Sequence, residues 1–276
     1  MSDLEICVCI WMGWSDTATN SSSFFKNLFD NLVNKFGMRY EYERWKKSAV
    51  GRRDYRQTLR FLLHNLNDLH FTNILEIGYG VGTWTVHLCN CSKNITLLDI
   101  SDKMAELTVN RLRQLNFTRV SKIVGDFQDR NLTINGEYDA IFSIRAIEYM
   151  ENKSFVLSRM YNLLNEEGLV FIITKNPYRS LIPFLSVFKA KVGFKQPKEL
   201  RHMIHYRDLA VRMHKAGFQN INVYPVIVSI ICPRSVRMRK YALSLSNSIF
   251  RRIYKKRLNP FYLPVVESFC ITARKG

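Results

Sequence analysis

A chain of 276 residues, 47% apolar and 13% aromatic, carries enough hydrophobic matter to bury a sizeable core, which excludes wholesale disorder. No apolar run approaches the roughly 20 residues that cross a bilayer. The net charge of +18 is lopsided: Pro177 to Gly276 holds 20 basic and 3 acidic residues, +17, against +1 for the first 176. That asymmetry assigns any anionic partner to the last hundred residues.

The greasy start, Leu4 to Trp14, has acids (Asp3, Glu5) where a secretory leader would have bases, so a cytoplasmic protein is expected. From Ser23 to about Leu69, apolar residues recur every three or four positions (Phe24, Leu28, Leu32, Phe36; then Leu59, Leu62, Leu66), which predicts helices. Short Val- and Ile-rich runs then alternate with helical ones. Strands are predicted at 73–78, 95–100, 120–125, 138–144 and 168–174, with helices opening at Thr83, Lys103 and Ser154. A helix over 206–215, a strand over 221–231 and a last strand over 267–275 follow. Little polar alternation suits strands covered on both faces, and strand–helix alternation implies a parallel sheet. The expected fold is α/β: a seven-stranded, mostly parallel sheet with an antiparallel last strand and helices on both faces. The final two strands are expected to pair as an antiparallel hairpin at one edge.

Six cysteines, at 7, 9, 89, 91, 232 and 270, include two C-x-C pairs and no zinc-type spacing, so no metal is expected. The chemistry sits elsewhere, in "NILEIGYGVGTWT" (73–85), where glycines alternate at 78, 80 and 82. The dinucleotide fingerprint wants a third glycine where Thr83 stands, and a phosphate loop would need its Gly-Lys-Ser/Thr. Glu76 lies two residues before the first glycine, where an acid repels a pyrophosphate but suits an ammonium group. Asp99 ends the second strand, where a carboxylate can accept both ribose hydroxyls. An amine, a sulfonium and no phosphate describe S-adenosylmethionine (SAM).

"LEIGYGVGT", "LLDIS" with Met104, "GDFQD", "YDAIFSIRAIEYM" and "LLNEEGLVFIITK" resemble, in order and spacing, the motifs of class I SAM-dependent methyltransferases, and most nearly the subgroup that includes quinone-biosynthesis and other small-molecule enzymes. The resemblance implies a Rossmann-like fold and carries roles by position. Glu76 would bind the methionine amine, directly or through water; Gly78, Tyr79, Gly80 and Gly82 would let the backbone pass the amino-acid part. Asp99 would hold the ribose. Ile100 and Met104 would flank the adenine, with Asp126 near its exocyclic amine and Phe127 against its ring. Ser143 and Ile144 would lie near the methionine moiety. The nearest subgroup often presents a histidine after the fourth strand; here Glu148 and Tyr149 stand there. Glu148, Tyr149, His202 and His205 are the candidate acid/base residues, needed if the acceptor is unionised.

Additions to such a core choose the substrate. Residues 1–70 are expected to form a helical lid segment, with "YERWKKSAVGRRDYR" (42–56) as its contact with the cofactor side; residues 71–276 form the SAM domain. Insertions are expected at about 178–200 and 233–264. In the second, Met238, Ala242, Leu245, Ile249 and Ile253 make an apolar stripe flanked by bases, which suits an anionic membrane surface or packing onto the sheet. The function expected is methyl transfer to a small-molecule or lipid-linked acceptor; RNA or DNA methylation through the basic region, and a non-catalytic protein that kept the fold, stay open. "NPY" (176–178) is expected to be a turn leading off the fifth strand.

Overall fold

The structure, a computed structural model, describes residues 21–177, 203–230 and 236–276. The Leu4–Trp14 segment, Cys7, Cys9, Cys232, Tyr178, His202 and the insertion at 178–200 lie outside the described residues.

Helix α1 (Ser21–Phe36) leads through a short turn, Arg39–Glu41, and π-helical Tyr42–Lys46 into α2 (Ala49–Leu66). Ser48 caps α2 by accepting from the Gly51 amide at 2.9 Å. The sheet strands are β1 (Phe71–Ile77), β2 (Ser92–Asp99), β3 (Val120–Val124), β4 (Tyr138–Ile144), β5 (Leu164–Lys175), β6 (Phe218–Val228) and β7 (Val266–Lys275). Between them run α3 (Thr85–Leu88), α4 (Asp102–Gln114), α5 (Lys153–Leu163), α6 (Tyr206–Lys215) and α7 (Val236–Ile253).

One sheet holds all seven strands in the order β3-β2-β1-β4-β5-β7-β6. The first five strands are mutually parallel, and β7 runs antiparallel to both its neighbours. The expected pairing of the last two strands is present, but β7 lies inside the sheet and β6 forms the edge. Two apolar layers explain the runs without polar alternation. One packs Val156, Leu157 and Met160 of α5 with Leu209 and Met213 of α6; the other packs Phe61, Leu62 and Leu66 of α2 with Ala105 and Leu112 of α4. Helix α2 is thus a sheet-covering helix, and Phe61 meets Phe171 and Tyr224 at ring distances of 6.1 and 6.2 Å.

Helix α7 divides the expected stripe between two surfaces. Ala242, Phe250 and Ile253 are buried and Ile249 is half-buried, while Met238 and Leu245 stay exposed beside Tyr241, 74% exposed. Asn176, after β5, is buried and donates to the Val266 carbonyl at 2.9 Å, an anchor for the chain as it leaves the sheet. Among the described residues no helix is long and apolar enough to cross a membrane, and no group of residues could hold a metal ion.

Candidate active site

The strand order reverses at β1: β2 lies on one side and β4 on the other. In a parallel sheet such a switch point opens a crevice beyond the strand carboxyl ends. There the chain turns through Gly78 (φ +74°), Gly80 (φ +59°) and Gly82 (φ +74°), a left-handed region that side chains resist. The three glycines serve different ends. A Cβ on Gly78 would sit 2.2 Å from the Ala146 Cβ, and one on Gly82 would sit 2.8 Å from the Thr108 methyl. Both let packed segments approach. Among the described residues a Cβ on Gly80 would meet nothing within 4 Å, so of the three glycines only this one leaves free space beside the loop.

Asp99 closes the other side of the bend. Its carboxylate accepts from the Gly80 amide at 3.1 Å and from the Ser101 amide at 3.0 Å. Burial pushes its pKa up to about 6, with the Ser101, Gly80 and Ile100 amides opposing. Glu76 lies beneath the loop, 1% exposed, and among the described residues neither of its oxygens has a hydrogen-bond partner. The Thr85 hydroxyl is near enough only to temper its proton affinity; burial dominates, Asp99 adds repulsion, and the pKa rises to about 8. Keeping a carboxylate ionised in such a place is costly unless a donor meets it.

This has a measurable consequence. A folded-state pKa raised to about 8 means that the unfolded chain ionises first as pH climbs, so Glu76 erodes stability between its ordinary value and about pH 8. The glutamine in Glu76→Gln has no such dependence. Its melting-temperature advantage over the parent is expected to grow from pH 5 to about pH 8 and then level off. A constant difference across that range would remove the assignment.

Around the bend lies a cavity that opens to solvent. Gly78, Tyr79, Gly80, Asp99, Ile100 and Met104 line it. Asp126, Phe127 and Ile144 join them. Asp126 accepts from the Ser22 hydroxyl of α1 and from the Gln128 amide. Phe127 is fixed from behind by the Arg159 guanidinium, 5.1 Å from its ring centre. Glu76, Gly82 and Ser143 are buried outside this lining.

The three acid/base candidates among the described residues separate. Tyr149 lines the cavity between Phe25 and Phe29, at ring distances of 5.1 and 5.5 Å, and burial pushes its pKa up to about 12. Glu148 is 1% exposed and faces away from the lining. It accepts from Arg145 at 3.2 Å, Thr174 at 3.2 Å and the Lys175 amide at 3.1 Å. Burial works against its charge, but Arg145 and Lys175 prevail and hold its pKa below the usual value, so it is a structural anion. His205 caps α6, its Nδ1 accepting from the Arg207 amide at 3.3 Å.

The expected contact segment does reach the cavity, through Arg44 and Trp45. Phe25, Phe29, Tyr40 and Arg145 line it without having been singled out. For Arg145 a signal existed: a charged residue directly after an apolar strand, "AIFSIR".

Sheet order, switch point and glycine bend together define the fold of a class I SAM-dependent methyltransferase. The profile of the family described as "Methyltransferase domain" matches residues 42–223, and the chain belongs to that family. Among curated relatives, a malonyl-(acyl-carrier protein) O-methyltransferase 1 of Ilyobacter polytropus is 30% identical over 131 residues, covering 45% of this chain and 46% of that protein. A ubiquinone biosynthesis O-methyltransferase of Shewanella pealeana is 26% identical over 127 residues, 41% of this chain and 53% of that protein. The chain thus spans about half the length of these two relatives. A phosphoethanolamine N-methyltransferase 2 of Haemonchus contortus, solved with phosphomonomethylethanolamine and S-adenosylhomocysteine (SAH), shares the fold with a TM-score of 0.60. It is 16% identical, with 94% of this chain and 60% of that chain covered.

Proposed function

We propose that the protein is a SAM-dependent methyltransferase acting on a small-molecule acceptor. The observation that carries this reading is the pair of buried carboxylates, Glu76 and Asp99, set about a bend where Gly80 alone leaves open space. Glu76 meets the methionine ammonium, directly or through water; Asp99 meets the ribose hydroxyls. Met104, Ile100 and Phe127 supply the apolar walls for the adenine, with Asp126 near its amine. SAM, when bound, supplies a methyl on a positively charged sulfur. The chain's own part is to align the acceptor with that methyl and to exclude water. Helix α1 acts as a lid that closes the cavity with Phe25 and Phe29, while α2 packs with the sheet of the SAM domain. Calorimetric titration of the full chain with SAH tests the reading; no detectable binding would sink it.

A second surface favours work at an anionic membrane. On α7, Met238, Tyr241 and Leu245 project outward at 59, 74 and 42% exposure. Arg251 and Arg252 at the helix end are exposed, as are Lys255 and Lys256 just after it. An apolar line beside bases suits the lipid headgroup boundary, where each base contributes about 1 kcal/mol. The quadruple change of these four bases to serine is expected to weaken binding to phosphatidylserine-rich vesicles at least about tenfold with the fold intact. Equal sedimentation of parent and variant with the vesicles would show that the face has another use.

A further inference from the structure

We propose that the acceptor is an oxyanion, a carboxylate or phosphomonoester on an apolar body, held in the part of the cavity where Arg44 and Arg145 meet Tyr40 and Tyr149. This rests on the methyltransferase reading and names its substrate class.

The charged groups of the cavity are of two kinds. Asp99 and Asp126 in the wall, and Glu76 beneath the bend, are carboxylates. Arg44 and Arg145 in the wall are guanidinium groups, and they lie close to the phenols of Tyr40 and Tyr149. Arg44 comes from the π-helical turn. Its Nη1 donates to the Tyr40 hydroxyl at 2.9 Å, and its guanidinium lies over the Trp45 ring at 5.0 Å. Among the described residues no carboxylate forms an ion pair with it. A guanidinium satisfied by one phenol retains donors for a fork-shaped anion. The Tyr40 oxygen accepts that bond, so its own proton is free to donate.

Arg145 approaches from the loop after β4, and its backbone is the more telling feature. It adopts φ +66°, a region that costs a side-chain-bearing residue roughly 1–2 kcal/mol. Glycine would relieve that cost, so the side chain itself has a use. The Arg145 side chain is 8% exposed and makes two long hydrogen bonds, Nε to Glu148 at 3.2 Å and Nη1 to Ser268 at 3.5 Å. Nη2 has no partner among the described residues. Glu148 thereby acts as a positioning residue: a buried anion that holds Arg145 by Nε and leaves the outer edge of the fork available. Tyr149 stays a protonated donor, and Phe25 and Phe29 beside it supply an apolar wall. Donors and cations ringed by aromatic faces recognise an anionic head on an apolar body.

The test uses the full chain saturated with SAH and calorimetric titration with four probes that share one phenyl ring: benzoate, phenyl phosphate, benzyl alcohol and benzylamine. Benzoate or phenyl phosphate is expected to bind at least tenfold more tightly than the neutral and cationic probes; whichever anion leads identifies the headgroup. Arg44→Gln, which breaks no ion pair, and Arg145→Lys, which keeps the charge beside Glu148, are each expected to lose most of that preference. SAH affinity should stay within twofold of the parent. Equal binding of neutral and anionic probes would overturn the proposal. A parallel loss of SAH affinity would also overturn it, because the arginines would then serve the cofactor's own carboxylate. An unaltered chain that binds no SAH would fail the methyltransferase reading instead, and the two failures are separable in one titration.

Discussion

Gly80→Val is expected to give a folded protein that no longer binds SAH, and Gly78→Val a chain that fails to fold. The two glycines are two residues apart and share a positive φ, so backbone strain of roughly 1–2 kcal/mol falls on both. What differs is the space around each. A side chain at Gly80 has nothing within 4 Å of its Cβ, so the fold tolerates it, but its methyls project into the cavity beside the bend. Loss of SAH affinity of at least about 100-fold is expected, with a melting temperature lowered by only a few degrees. At Gly78 the new Cβ would lie 2.2 Å from that of Ala146, a buried residue on the loop after β4. No rotamer escapes a collision at Cβ itself, so the carboxyl ends of β1 and β4 would have to part. Gly78→Ala should already destabilise severely, and adding Ala146→Gly should restore part of the loss. Circular dichroism and SAH titration separate the cases. Normal SAH binding by Gly80→Val would remove the cofactor from this bend.

Asp99→Ala is expected to reduce SAH affinity by about two to three orders of magnitude. Hydrogen bonds to a charged acceptor contribute about 1.5–3 kcal/mol each, and the ribose would make two. Asp99→Asn keeps an acceptor for the Gly80 amide and should lose less, roughly tenfold. The pH dependence follows from the raised pKa of about 6. The protonated form serves two hydroxyls poorly, so affinity should fall as pH drops through 6, well above the range where an ordinary aspartate titrates. Affinity flat from pH 5 to 8 would argue that the carboxylate does not face the ligand.

The strands were legible because strands buried on both faces must be almost wholly apolar, as in "YDAIFSI", whose predicted limits match β4. The third strand was read correctly although its residues are half-exposed, because it lies at an edge and is placed by its pairing with β2. The glycine loop was visible as a motif, but the different duties of Gly78, Gly80 and Gly82 were not. Those depend on Ala146 and Thr108, brought close by tertiary packing. The same holds for Glu148 and His205. Both are polar residues of the type that catalyse, and only the structure shows one neutralised by Arg145 and the other capping a helix. The stripe on α7 was found by period, yet period cannot say which side of a half-turn is covered, and Met238 and Leu245 came out exposed.

The placement of β7 has a consequence for how the chain is made. Its residues leave the ribosome after those of β6, yet they belong between β5 and β6. Until they arrive, β5 has one unpaired edge and β6 has no partner in the sheet, the arrangement that recruits stray strands from other nascent chains. A pause in translation after β6 and before β7 has emerged would therefore leave a half-closed, sticky intermediate for chaperones to hold.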